Sequence, residues 1–247
     1  MKLYLAGLSP HKKYIEDMVS KLSNRGNFYI LESFFSVKEW LFDYVDKDNF
    51  LLDSGAFSMF GGHQKKDLDT YIDEYIDFIN KHDLKYFFEL DIYSIVGIKK
   101  TEQIRDYIEK KTRKKTIPVW HMMLGTEYYK MLCENYNYIA IGASGKHDSK
   151  WTRRTPEKLK SLVDYANSKN VKVHGLGYTG KKIKNIAFYS IDSTTWLYGP
   201  KYGSSYIFAN NKMHQKGKPK NKRFNTLNMY RYSFEQWVKY QNYIDTI

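Results

Sequence analysis

A (β/α)8 barrel is the fold class this sequence predicts, and three observations predict it. Short apolar runs alternate with amphipathic stretches from one end of the chain to the other. Eight such runs are present, each followed by a helix-like pattern. The 247 residues fit one large α/β domain. An unbroken βα alternation implies a parallel sheet, and eight parallel strands close most simply into a barrel. The expectation is therefore a single barrel domain over residues 1–247.

The strands are expected at 2–6, 28–32, 50–53, 86–91, 117–121, 138–142, 171–175 and 188–192, as short aliphatic and aromatic runs. Helical patterns begin near His11, Val37, Leu68, Thr101, Thr126, Thr155 and Gly180. In Thr155-Pro156-Glu157 a cap residue precedes a first-turn proline and an acid. A last helix is expected near Ser233, where Ser233-Phe234-Glu235-Gln236 has capping-box spacing. Between the last strand and the last helix lies a long basic loop at about 197–231. Its segment 211–223 carries six cations and no acid. A loop this long in a compact domain is functional or disordered.

Composition narrows the function classes. Hydrophobic residues make up 42% and aromatics 17%, enough for a sizeable core, and the formal charge of +13 favours a polyanionic partner over a merely solvated basic surface. The single cysteine, Cys133, excludes an intrachain disulfide and a cysteine-based zinc site; its helical pattern predicts a buried packing role. No apolar run approaches the roughly 20 residues of a membrane span, and the apolar start at 1–7 lacks the longer core of a signal peptide. The expected location is the cytoplasm.

In this fold, chemistry sits at the C-terminal ends of the strands. The segment Phe50-Leu51-Leu52-Asp53-Ser54-Gly55-Ala56-Phe57 ends an apolar run in an acid, followed at once by a glycine turn and an aromatic. The segment Phe188-Tyr189-Ser190-Ile191-Asp192-Ser193 repeats the arrangement. Between them the rim holds Glu89 and Asp91, His121, Gly142 and Ala143, and His174 and Gly175. Each alone has a structural explanation: an acid after a strand caps the next helix, a histidine is a satisfied core residue, a glycine marks a turn. Their joint placement favours a site. Two carboxylates at adjacent strand ends suggest displacement at a sugar carbon.

These segments resemble those of the tRNA-guanine transglycosylases. They are closer still to the compact phage and bacterial relatives that place 7-deazaguanines in DNA. Asp53-Ser54-Gly55-Ala56-Phe57 is similar to the family's Asp-Ser-Gly-Gly-Phe motif, and His174-Gly175-Leu176-Gly177 followed by Ser190-Ile191-Asp192-Ser193 resembles its glycine turn and nucleophile strand. The resemblance runs over about 51–196. It implies exchange of guanine for a 7-deazaguanine such as 7-cyano-7-deazaguanine, without a cofactor. Asp192 is then the nucleophile at C1′, and Asp53 handles the proton of the leaving or incoming base.

The resemblance also implies a base pocket. Asp91 would accept from the guanine donor edge, with Glu89 as the competing choice, and the backbone at Gly142 and Ala143 would address O6. His121 stands where the family has an amide. Phe57 and His174 would sandwich the base, with Ser54, Gly55 and Gly175 shaping the pocket. The family's zinc subdomain, built from three cysteines and a histidine, is absent, which favours DNA over tRNA. Phosphate contacts are expected from Lys146, Lys150, Arg153, Arg154, Lys181 and Lys182, and from Lys212, Lys216, Lys218, Lys220, Lys222 and Arg223. Trp151, Trp196, Tyr198 and Tyr202 lie in rim loops where a flipped nucleotide leaves a gap. The alternatives are a tRNA-acting enzyme, a nucleoside hydrolase or deoxyribosyltransferase, and a barrel that only binds nucleic acid.

Overall fold

The computed structural model describes residues 1–23, 28–60, 67–142, 151–152, 154–178, 183–217 and 225–247. Eight strands form one sheet: β1 (Lys2–Ala6), β2 (Ile30–Ser33), β3 (Phe50–Asp53), β4 (Tyr86–Phe87), β5 (Val119–Trp120), β6 (Tyr138–Gly142), β7 (Lys172–Leu176) and β8 (Ser190–Ser193). Their spatial order is β4-β3-β2-β1-β8-β7-β6-β5, and every pairing is parallel.

The sheet curls so that its edge strands, β4 and β5, approach each other. The predicted closure is only partial there. One isolated bridge, Phe88↔Ile117, joins them, with Ile117 N–H donating to Phe87 O at 2.8 Å and Glu89 N–H to Ile117 O at 3.1 Å. The strands expected at 86–91 and 117–121 are thus short. Beyond Phe88 the backbone leaves the ladder, with Ile92 N–H turning back onto Leu90 O at 2.9 Å.

Side-chain parity explains why the strands read as unbroken apolar runs. Tyr4, Ala6, Tyr29, Leu31, Leu51, Phe88, Ile117, Val119, Tyr138 and Ala140 form one buried cluster inside the sheet. Their neighbours, including Leu3, Leu5, Ile30, Phe50, Leu52, Ile139 and Ile141, face the helices in a second cluster. Both faces are buried, so both parities must be apolar.

The covering helices are α1 (Lys12–Ser23), α2 (Ala56–Phe60), α3 (Leu68–Lys81), α4 (Tyr93–Val96), α5 (Ile98–Thr112), α6 (Gly125–Asn135), α7 (Pro156–Ser168), α8 (Tyr198–Tyr202) and α9 (Thr226–Asp245). Asp67 caps α3 by accepting from Thr70 N–H at 2.9 Å. Thr155 precedes α7 as expected, but its hydroxyl donates to Trp151 O rather than capping. The helices expected near Val37 and Gly180 are replaced, in what is described, by short 3-10 turns at Glu39–Asp43 and Ile183–Asn185. Cys133 is buried on α6 as predicted. No helix among the described residues is long and apolar enough to cross a membrane.

The region expected as one long loop is largely structured. After α8, strands β9 (Ser205–Ala209) and β10 (Lys212–Lys216) form an antiparallel hairpin. Asn210 and Asn211 both adopt positive φ, at 50° and 59°, as a two-residue hairpin turn demands. The last helix starts eight residues earlier than its apparent capping box. Asn225 is the real cap, accepting from Asn228 N–H at 3.3 Å. Ser233 and Gln236 are instead buried mid-helix and used for tertiary contacts: Ser233 donates to Trp196 O, and Gln236 accepts from Phe208 N–H at 3.0 Å.

Candidate active site

The parity that builds the inner cluster also places the polar residues. On β3, Leu51 faces inward, so Asp53 continues the same face at the C-terminal end; Val119 on β5 and His121 just beyond it follow the same rule, as do His174 on β7 and Ser190 and Asp192 on β8. These side chains gather at one mouth of the curled sheet.

Asp53 keeps a partial opening to solvent, yet its carboxyl is raised to about 6. Desolvation is the main cause, and the negative charges of Asp192 and Asp91 add to it. Asp53 thus feels two other carboxylates at the rim. Gly55 N–H donates to Asp53 Oδ2 at 3.1 Å and holds it in part against this penalty. Gly55 has φ +68°, and a Cβ there would lie 2.7 Å from Ser33 Oγ and 2.8 Å from Phe35 Cβ. Only glycine makes this turn. Helix α3 fixes the backbone on either side of the carboxyl: Tyr71 O–H donates to Ser54 O at 2.6 Å, and Tyr75 O–H to Phe88 O at 2.7 Å.

Asp192 is nearly buried, and two donors meet its Oδ1. Gly177 N–H donates at 2.6 Å and His174 Nε2 lies at 3.2 Å. Among the described residues, hydrogen bonds reach Oδ1 alone.

The expectation for His174 is corrected by its surroundings. The ring is fully buried, its second nitrogen lies 2.6 Å from Ser190 Oγ, and the Tyr4 and Phe88 rings contact it. The described neighbours Tyr4, Phe88 and Ser190 enclose the ring, and its Nε2 faces Asp192.

The two candidate base-edge acids separate clearly. Phe88 points inward, so Glu89, the competing choice for the base edge, points outward to the helical layer. There Glu89 Oε1 accepts from Val119 N–H at 2.6 Å and Oε2 from Arg105 at 3.2 Å, both side chains buried. Burial outweighs Arg105 and raises this carboxyl to about 7. Glu89 stitches the β4–β5 seam to α5. Asp91 lies beyond the turn at Leu90, is one-third exposed, and pairs with His121 Nε2 at 2.8 Å. The Tyr93 ring leans on His121 at 5.0 Å.

Other predicted positions divide. Gly142 ends β6 beside Leu176 on β7. Gly175 faces the helical layer, where a Cβ would meet the Phe188 ring at 3.0 Å; packing, rather than approach to a base, explains it. Ser54 is buried in its turn. Arg154, Lys212 and Lys216 are exposed. Ala143, Lys146, Lys150, Arg153, Lys181, Lys182, Lys218, Lys220, Lys222 and Arg223 lie outside the described residues, as does the Phe57 side chain. Trp151 and Trp196 are core residues, the latter donating to Ala6 O at 2.8 Å, whereas Tyr198 and Tyr202 are exposed.

Sequence reasoning missed Glu32. This fully buried acid at the end of β2 accepts from Leu8 N–H at 2.5 Å and Ser9 N–H at 3.0 Å through Oε1, and Oε2 has no partner among the described residues. Burial raises it to about 8. An acid ending an apolar strand, the signal used for Asp53, would have found it. A depression of about 310 Å³ at the opposite end of the strands is lined by Lys47, Asp48, Asp83, Lys85 and Lys114. Its charges satisfy one another, with Lys85–Asp48 at 2.8 Å and Lys114–Asp83 at 2.6 Å, so it is a surface ion-pair network.

No protein-family model matches this chain, and no curated protein matches it. The functional reading therefore rests on the geometry and on the sequence motifs.

Proposed function

We propose that this protein is a base-exchange transglycosylase that replaces guanine in DNA with a 7-deazaguanine through a covalent Asp192–deoxyribose intermediate. The observation that carries the reading is the pairing of two unlike carboxylates at one rim. Asp192 has one oxygen held by two donors, and Asp53 is raised to about 6 by burial and by the charges of Asp192 and Asp91. Paired titratable groups in contrasting environments are how nucleophile and acid–base roles are divided. The resemblance to tRNA-guanine transglycosylases and their DNA-acting relatives supports the same division.

In this reading Asp192 Oδ2 attacks C1′ of a flipped deoxyguanosine. The C1′–N9 bond breaks, its electron pair leaves with guanine, and protonated Asp53 supplies the proton. The incoming 7-deazaguanine then loses its N9 proton to Asp53, and N9 attacks C1′ and displaces Asp192. Two displacements retain configuration. A carboxyl near 6 both donates and accepts close to neutral pH. Asp91 holds His121 with one oxygen and offers the other to the guanine donor edge. Phe57, Gly142 and Ala143 complete the base pocket. Arg154, Lys212 and Lys216, together with the other predicted cations, follow the phosphates. The β4–β5 seam is read as closing a (β/α)8 barrel, and the enzyme as cytoplasmic, in the host if phage-encoded.

The test is transfer of labelled 7-cyano-7-deazaguanine into duplex DNA and tRNA in parallel, read as nucleosides by mass spectrometry. Label in DNA that disappears in Asp192→Ala, with the fold intact, is the expected result. Label only in tRNA would move the substrate. Binding of DNA without transfer from any deazaguanine would leave a barrel that only binds.

A further inference from the structure

A buried line of side chains runs from Asp192 into the interior of the sheet. His174 Nε2 lies 3.2 Å from Asp192 Oδ1, His174 Nδ1 2.6 Å from Ser190 Oγ, and Ser190 Oγ 2.5 Å from Tyr138 O–H. Every member is buried. The sequence reading made His174 a base-stacking residue and gave Ser190 and Tyr138 no role.

Donor counting sets the direction of this chain. An ionised carboxylate only accepts, and Asp192 Oδ1 already accepts from Gly177 N–H. The nitrogen facing it must therefore carry hydrogen. In a neutral imidazole the other nitrogen is then an acceptor, so the one hydroxyl hydrogen of Ser190 goes to Nδ1. The Ser190 oxygen in turn accepts from Tyr138, whose phenol burial keeps protonated far above the ordinary range. The hydrogen bonds all point one way, from Tyr138 to Ser190 to His174 to Asp192, and such a chain polarises each member.

The serine, histidine and aspartate together have the composition of a hydrolase triad, but the access is reversed. Ser190 is fully buried beneath the imidazole, and Asp192 is the member at the mouth. The machinery points at the carboxylate.

We propose that His174 is a positioning residue for Asp192: locked as the Nε2–H tautomer by Ser190 and Tyr138, it pins Oδ1 and so presents Oδ2 to the substrate. This rests on the reading of Asp192 as the nucleophile. Among the described residues, the groups facing the imidazole are Tyr4 from β1, Phe88 beyond β4, and Ser190 and Asp192 from β8, with Tyr138 from β6 behind Ser190. Across the rim, the charge of Asp192 acts on Asp53. Without the imidazole N–H, Oδ1 keeps a single donor and the carboxylate can rotate away from the attack geometry.

The experiment combines three readouts on the full chain. First, ¹⁵N-histidine NMR at pH 7.5 gives the His174 tautomer: Nε2–H is expected in the wild type and a tautomer mixture in Ser190→Ala. Second, transfer of labelled 7-cyano-7-deazaguanine into duplex DNA should fall about ten- to a hundredfold in kcat for His174→Phe, with KM for DNA little changed. His174→Gln, whose amide restores a donor, should recover most of the rate. Third, crystal structures should show Asp192 rotated in His174→Phe and unrotated in His174→Gln. An Nδ1–H or doubly protonated His174, or an unmoved Asp192 in His174→Phe, overturns the proposal. If the wild type transfers no base, the proposed reaction falls, while the tautomer and the Asp192 rotamer still decide the positioning role. Should His174→Phe fail to fold, Ser190→Ala carries the tautomer test and His174→Gln the rate and rotamer tests.

Discussion

Replacing Asp53 with asparagine should stabilise the fold at neutral pH and abolish base exchange. The asparagine carbonyl still accepts from Gly55 N–H, so the turn is kept. What disappears is a negative charge that burial and the Asp192 and Asp91 carboxylates disfavour. The sign follows from linkage. A carboxyl raised from 3.8 to about 6 in the folded state binds more protons folded than unfolded across that window, so the wild type loses stability as pH rises through it. The window is worth about 3 kcal/mol as a ceiling, and partial solvent access lowers it. In a chain of this size that is a Tm gain of roughly 5–10 °C for the variant above pH 7. Chemical denaturation of both proteins from pH 4.5 to 8 measures it. The two curves should converge at acid pH and separate on the way to neutrality. A variant that parallels the wild type over the whole range, or that is weaker at pH 7, would refute the reasoning that Asp53 is a strained, functionally placed acid.

Glu32→Gln should flatten the loss of stability between pH 4.5 and about 8, because burial raises Glu32 across that window. The gain at pH 9 relative to pH 6 is about 3 kcal/mol or less, and denaturant midpoints at the two pH values suffice; an unchanged wild-type difference would contradict it. Gly55→Ala should destabilise by about 2–4 kcal/mol, since it forces a side chain to φ +68° and to within 2.8 Å of Phe35; a Tm equal to wild type would show that the turn relaxes freely. Arg105→Met strands Glu89 at the seam and should cost about 3–5 kcal/mol at pH 8. Below about 7 the loss shrinks as Glu89 takes up a proton. Urea unfolding at pH 6 and pH 8 separates these cases, and a loss equal at both would mean that shape, not charge, holds the seam.

Period-two alternation made the candidate site legible. Once Leu51 is inside, Asp53 must be too, and Asp192 follows in the same way on β8. That is a property of the strand and needs no tertiary information. The hairpin was also legible in principle, since Asn210-Asn211 lies between two five-residue strands and asparagine tolerates positive φ. By contrast, Ser233 and Gln236 mimic a capping box only because local spacing cannot reveal that Trp196 and Phe208 arrive from elsewhere in the chain to claim them.

The sequence by itself determined the eight strands of the parallel sheet, their alternation with helices, the buried cysteine and the strand ends that carry acids, because these follow from short-range periodicity and composition. Only the tertiary structure decided which rim residues share an environment. Glu89 and Asp91 are two residues apart, yet a turn at Leu90 sends one to Arg105 behind the sheet and the other to His121 at the mouth. His174, by the resemblance a ring that sandwiches the base, is enclosed by Tyr4, Phe88 and Ser190. The approach of strands from opposite ends of the chain is a long-range packing outcome. It is this approach that desolvates Asp53, while Asp192 takes its donors from the neighbouring β7 and the turn after it.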